Sequence, residues 1–273
     1  MKTIRRLCGD VGGLLGALIV SGIVIIALVG PLVAPHDPLK IDFSSVLKPP
    51  TKTHPFGTDE MGRDVFSRVL CGTRLSLVSA AVVLSMAIGL GCLIGSVAGV
   101  SRGIADNMLM RATDVFLAFP YLILAMAIAA AMGPGLVNAI LAVGVVWWPS
   151  YARLVRGLVL VIREESYVEA ARALGSSTPR IVVRHILPNC FSQLLAKATI
   201  DIGYAILTTA SLSFIGLGAQ APSPEWGAMV AGGRTYIMSF WWAATVPGLV
   251  IFITVLGFSL LGDALEARTG SPR

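Results

Sequence analysis

Residues 169–189 read EAARALGSSTPRIVVRHILPN, a polar stretch set between long apolar runs. Ser166 followed by Glu169 has the spacing of a capping box, in which each side chain satisfies a free backbone N–H at a helix start. Ala170, Ala171, Arg172, Ala173 and Leu174 are strong helix formers, and Gly175 supplies the left-handed residue that stops them. Thr178 is placed to cap a second helix with Pro179 at its first position, where a missing N–H costs nothing. Pro188 is expected to close that helix, because its ring clashes with a continuing turn. The spacing predicts helix, glycine break, helix: a docking knob on the basic side of a membrane. The plainer alternative is a solvated loop whose caps only finish two helices.

Composition sets the class. Of 273 residues, 55% are hydrophobic and 13% charged, with a mean hydropathy of +0.81. Soluble domains carry about 25% charged residues, so the chain lies outside that class. Apolar runs of about 20 residues cross roughly 30 Å of hydrocarbon as helices. The net charge of +6 sits on loops, and the aromatic residues are not interleaved with basic clusters. Membrane lipid is therefore an expected partner and nucleic acid is not. Cys8, Cys71, Cys92 and Cys190 lack paired or CxxC spacing and read as small apolar residues or incidental thiols.

Taken in order, the chain reads as six spans, over 12–33, 75–100, 114–132, 136–151, 191–217 and 241–261. Residues 1–34 hold a short tail and an uncleaved first span, too long for a signal-peptide core. Residues 35–74 form a proline-rich extracytoplasmic segment, with an amphipathic interfacial helix expected over 59–73. Residues 75–262 form a core of five spans, including a coupling loop at about 163–189, and 263–273 a polar tail. Gly89, Gly91, Gly95 and Gly99 let the second span approach a neighbour closely, inside the bundle. The fourth helix is expected to continue beyond the bilayer towards Ile162.

Lys and Arg are asymmetric about these spans. Fourteen fall on the side that holds both termini and the 163–189 loop, and seven on the other. The positive-inside tendency places both termini in the cytoplasm.

Four stretches then carry a family resemblance. Glu169-Ala170-Ala171, Gly175 after three residues and Leu187-Pro188 twelve further on resemble the EAA loop of bacterial ABC-importer permeases. His185-Ile186-Leu187-Pro188-Asn189 resembles the spelling of the dipeptide, oligopeptide and nickel subfamily. PFGTDEMGRDVFSRVLCGTRLSL (55–77), LSFIGLG (212–218) with PSPEWG (222–227), and LLGDAL (260–265) point the same way. The resemblance implies an all-α type I permease fold in a bacterial inner membrane, with Glu169, Ala170, Ala171, Leu174, Gly175, Leu187 and Pro188 forming the ATPase-coupling site. It implies as partners a second, homologous permease, two ATPase subunits and an extracytoplasmic solute-binding protein. ATP and magnesium would sit on the ATPases, with no cofactor on this chain.

The residues themselves agree with a non-catalytic subunit. There is no GxxxxGK[ST], HExxH or CxxC, and no clustered His/Asp/Glu or Ser/His/Asp set is legible. Asp59, Arg63 and Asp64, followed by Arg68, read either as a self-satisfied interfacial cap or as contacts to an outer partner; Glu225 and Trp226 read as a turn scaffold or a substrate contact. Asp201 lies within the fifth span, where an acid needs a partner. Lys197, four residues earlier, can pair with it; the sharper reading puts Asp201 on the translocation path. The oligopeptide branch of the resembled family often has an acid just before the LSF stretch, where this chain has Thr209 and Ala210. A short peptide is the first substrate expectation, nickel or a metal chelate the second. An ion-driven secondary transporter is the rival class, and would want inverted repeats and several intramembrane ionisable groups.

Overall fold

The computed structural model describes residues 11–101 and 103–269. The expectations for the N-terminal tail and for Lys2, Arg5, Arg6, Cys8, Arg102 and Arg273 lie outside the described residues.

Among the described residues the chain is helical, with five helices long and apolar enough to cross a membrane and a sixth span if one bent pair is counted. The first long helix, α1 (Val11–Val33), packs against the last, α10 (Trp242–Thr269). Between them lie α2 (Val65–Ser101), the bent pair α3 (Ile104–Leu117) and α4 (Tyr121–Met132), and α5 (Leu136–Ile162). The polar 163–189 stretch gives α6 (Ser166–Ala173) and α7 (Thr178–Ile181); α8 (Leu187–Ile215) and the short α9 (Trp226–Gly233) follow.

The α2–α5 seam forms the centre of the bundle. A Cβ on Gly91 would lie 2.3 Å from Tyr151 Cβ, one on Gly95 2.5 Å from the Ala152 carbonyl, and one on Gly99 2.7 Å from Val159. These three glycines let two backbones touch, which in lipid replaces a hydrophobic driving force with dense packing. Gly89 has open space around it and takes no part.

Four expectations are corrected. The second span begins ten residues early: α2 runs unbroken from Val65, so no separate interfacial helix covers 59–73. Asp59 to Arg63 instead forms a tight turn, with the Gly62 N–H on the Asp59 carbonyl at 3.0 Å. The third span is broken, α3 and α4 meeting at 86°. Pro120 causes the break, since it lacks an N–H and pushes Phe119 away from helical angles. Ser166 does not cap α6; Glu165 holds the extended N-cap position without a side-chain bond, and Ser166 is already helical. Likewise Ser177, not Thr178, is the N-cap of α7.

Pro188 does not close a helix either. The chain passes from α7 through a π turn, Val182–Ile186, straight into α8. The Leu187 N–H bonds the Val182 carbonyl, one residue further back than in an α-helix. That wider turn makes room for the Pro188 ring, which then sits in the first turn of α8, where a missing N–H is harmless.

At the opposite end of the bundle, residues 34–64 and 216–241 fold together over the ends of α2 and α10. Asp42 caps a 3₁₀ turn (Phe43–Ser45), and its serine donors hold its carboxyl down to about 2. Arg68 clamps the two segments, donating to the carbonyls of Pro38 at 2.9 Å, Pro222 at 3.2 Å and Ser223 at 3.1 Å. Trp242 Nε1 donates to the Thr58 carbonyl at 3.1 Å.

Candidate functional site

The knob expected to dock is built by a helix end. Gly175 has φ +80°, and two bonds close the turn around it: Gly175 N–H to the Arg172 carbonyl and Ser176 N–H to the Ala171 carbonyl, both at 3.0 Å. This Schellman arrangement satisfies carbonyls that would otherwise be orphaned and turns the chain sharply. Val168 is fully buried and anchors α6 from below, as Ile181 and Ile186 anchor the following turns. Glu169, Ala170 and Gly175 stay exposed, Ala171 is half-buried, and Leu174 stands 88% exposed at the tip. An apolar side chain held out on a rigid helix end suits insertion into a partner groove. Leu187 and Pro188 are not on the knob; they form the root of α8. Asn189 links the two, donating to the Tyr167 hydroxyl at 3.1 Å and to the His185 carbonyl at 2.6 Å.

Behind the knob, charged groups tie the end of α5 to its neighbours. Arg156 on α5 forms a two-pronged bond with Asp106 on α3, at 2.6 and 2.7 Å. The Arg163 guanidinium donates to the Gly99 carbonyl at the end of α2 at 2.6 Å. The end of α5, from which the chain enters α6 after three residues, is thus fastened to α2 and α3. These partners lie 50 and 64 residues apart in sequence, beyond the reach of any local spacing rule.

At the end opposite α6, Asp59, Arg63 and Asp64 are 5% exposed or less, as are Glu225 and Trp226. Arg63 Nε meets Asp59 at 2.7 Å and its terminal nitrogen meets Glu60 at 2.9 Å. Arg68 Nε lies 3.3 Å from Asp59. Asp64 pairs with neither arginine. It caps α2 through the Ser67 N–H at 2.8 Å, and its other oxygen meets His54 Nδ1 at 3.0 Å. Glu225 caps α9, accepting the Ala228 N–H at 2.9 Å, and burial pushes its carboxyl up against the opposing pull of its hydrogen bonds. These side chains point into the subunit and hold residues 34–64 and 216–241 together.

His36 joins His54 and Asp64, and the three ligand atoms lie within 4.8 Å of one another. The expectation that no His/Asp/Glu set gathers is thus corrected, since residues spread along an irregular segment meet only in the fold. The two imidazoles are stacked, 4.7 Å apart at 29°, and both turn Nδ1 toward the Asp64 carboxylate, at 3.7 and 3.0 Å.

Inside the bundle, the Asp201 carboxylate accepts from Lys197 at 2.9 Å and from the Tyr151 hydroxyl at 2.7 Å. Tyr151 comes from α5, so the acid is held across two helices. Cavities of about 340 and 270 Å³ lie beside it, and both are bordered by Lys197 and Asp201. Lys197 was visible at helical spacing from Asp201; Tyr151 was not, because nothing in its neighbourhood marks it.

Long apolar helices around a glycine seam, a polar helical knob at one end and a charged station beside cavities define a polytopic transport subunit. The chain belongs to the family of binding-protein-dependent transport system inner membrane components, whose pattern matches residues 91–271. A second pattern, the N-terminal transmembrane domain of oligopeptide transport permease C, matches residues 2–50. The chain is 46% identical to the probable D,D-dipeptide transport system permease DdpC of Escherichia coli K12, over 97% of this chain and 89% of that one. It is 43% identical to the di/tripeptide permease DppC of Pseudomonas aeruginosa, over 94% and 86%. It is also 43% identical to the glutathione permease GsiD of Pectobacterium atrosepticum, over 91% and 83%. Among solved structures, a chain of the MetNI methionine ABC transporter superposes with a TM-score of 0.59 at 21% identity, over 74% of this chain and 96% of that one. The fold is that of a type I ABC importer permease, a multi-pass inner-membrane subunit of a family that is normally non-catalytic.

Proposed function

We propose that this permease carries short peptides, forming half of a translocation path completed by a second, homologous permease. Two ATPase subunits dock on α6 and its glycine turn, and an extracytoplasmic binding protein delivers the cargo. ATP and magnesium belong to the ATPases, and both termini of this chain face the cytoplasm. The observation that carries the cargo assignment is the 46% identity with a dipeptide permease across nearly the whole chain.

The mechanism follows from the connections of the knob. ATPase closure moves α6, the short 163–165 connection carries that movement to the end of α5, and the bonds from Arg156 and Arg163 pass it on to α3 and α2. The bundle shifts between outward and inward access because nucleotide binds one arrangement better than the other. Asp201 faces the path and receives a positive group of the cargo.

Paired uptake tests this reading, with labelled dipeptide and labelled nickel in cells with and without the gene. Loss of dipeptide uptake alone supports it. Loss of nickel uptake alone moves the chain to a metal cargo, and unchanged uptake of both removes the peptide assignment.

A further inference from the structure

The ion pair on α8 is built unlike a structural lock. A salt bridge inside a span normally hides both heads, because each is costly in hydrocarbon. Here the Asp201 and Lys197 side chains keep 13% and 32% exposure, and both heads border the two cavities. The cavities differ in chemistry. Gln193 and Glu266 line one; Tyr121, Trp147 and Tyr204 line the other. The pair thus stands between a chamber bordered by Gln193 and Glu266 and an aromatic one.

Each head also has a second support. Asp201 retains the Tyr151 hydroxyl at 2.7 Å if Lys197 turns away. Lys197 Nζ lies 5.0 Å from the centre of the Tyr151 ring, whose face attracts a cation. Its long stem lets the ammonium swing without moving the backbone. Breaking a buried pair is costly when it leaves a charge bare, and far less so when each charge gains a new partner in the same step.

A short peptide carries both of the charges that such an exchange needs. We propose that Lys197 and Asp201 form an exchangeable ion pair that reads the two ends of a peptide in transit, Asp201 taking its ammonium group and Lys197 its carboxylate. This rests on the peptide reading above. In the empty state the two side chains neutralise each other; in the loaded state the cargo completes two pairs in place of one. No charge is left bare in either state. A bare divalent cation is a poor fit, because Lys197 repels it while Asp201 attracts it. Tyr151 is a positioning residue that keeps the Asp201 carboxylate aimed at the boundary between the chambers.

The test uses the whole importer in proteoliposomes, with its binding protein and ATPases. Initial uptake is measured for labelled alanyl-alanine, its C-terminal amide and its N-acetyl form. In Lys197→Met, the ratio of free dipeptide to amide should fall at least about tenfold relative to wild type, the loss of one charge-assisted hydrogen bond. In Asp201→Asn, the ratio of free dipeptide to N-acetyl dipeptide should fall by about the same factor. Each ratio is taken within one preparation and with one binding protein, so reduced assembly cancels. Ratios unchanged from wild type in either variant overturn the inference. The Lys197→Met/Asp201→Leu double variant adds a check, since an apolar pair of similar volume preserves packing. Free-dipeptide uptake within about twofold of wild type in that variant also overturns it. If wild type carries no dipeptide, the peptide reading falls and takes this inference with it; if wild type does and the ratios stay fixed, the inference alone fails.

Discussion

The indole nitrogen of Trp226 donates to the backbone carbonyl of Val69 at 3.2 Å, joining residues 157 positions apart. Trp226 is fully buried, and a Cβ on nearby Gly72 would fall 2.2 Å from the Pro224 carbonyl, so the 222–227 turn lies directly on the backbone of α2. Trp226→Ala should destabilise the subunit by about 3–5 kcal/mol, the usual cost of emptying a large buried site. Trp226→Phe, which keeps most of the ring but loses the donor, should cost about 1–3 kcal/mol. Thermal unfolding of the detergent-purified complex measures both, and equal losses for the two variants would mean that packing of the six-membered ring contributes nothing.

Gly95→Val should disrupt the α2–α5 seam, because its side chain would meet the Ala152 carbonyl at 2.5 Å. Overpacking of this kind costs about 1–3 kcal/mol or more. Gly89→Val is the control, as it meets nothing within 4 Å. Melting temperatures of the two variants should separate clearly. Equal behaviour would contradict the close approach.

Gly175→Val should weaken association with the ATPases while the chain remains in the membrane. A β-branched residue at φ +80° is strained by roughly 1–3 kcal/mol and loosens the turn that holds up Leu174. Glu169→Lys should act the same way by reversing an exposed charge on α6. Co-purification of the ATPases is the readout, and unchanged recovery would remove α6 from the docking site.

Glu225 predicts a pH dependence. Burial raises its carboxyl above the ordinary value of 4.5, so the folded chain holds this proton more tightly than the unfolded chain. Its contribution is fully present below that ordinary value and is lost as pH rises through the raised one. Glu225→Gln keeps the cap and stays neutral, so its melting temperature should be flatter across the mildly acidic to neutral range. A wild-type profile as flat as that of the variant would show that this carboxyl does not titrate differently in the fold.

Much of the architecture was legible because hydrocarbon imposes local rules. The apolar runs and the glycine stop at 175 act through neighbours in sequence, and the glycines at 91, 95 and 99 mark a close-packing face by their spacing alone, although the helix they meet is not written there. Helix starts were less legible: Glu165 and Ser177 took the caps assigned to Ser166 and Thr178, with no side-chain bond to mark them. Pro188 misled because a proline is a helix breaker only where the preceding turn is an ordinary α turn.

By itself the sequence determined a basic-loop membrane protein with a polar helical elbow, since hydropathy, charge and caps are properties of short windows. Only the tertiary structure decided what the polar residues do. It buried Asp59, Arg63, Asp64, Glu225 and Trp226 as a clamp over the end of the bundle opposite α6. It also brought Tyr151 to Asp201 and Arg156 to Asp106, each from 50 residues away. Those partnerships depend on how helices pack across the bundle, and packing is fixed by the shape of whole faces, which no local spacing records.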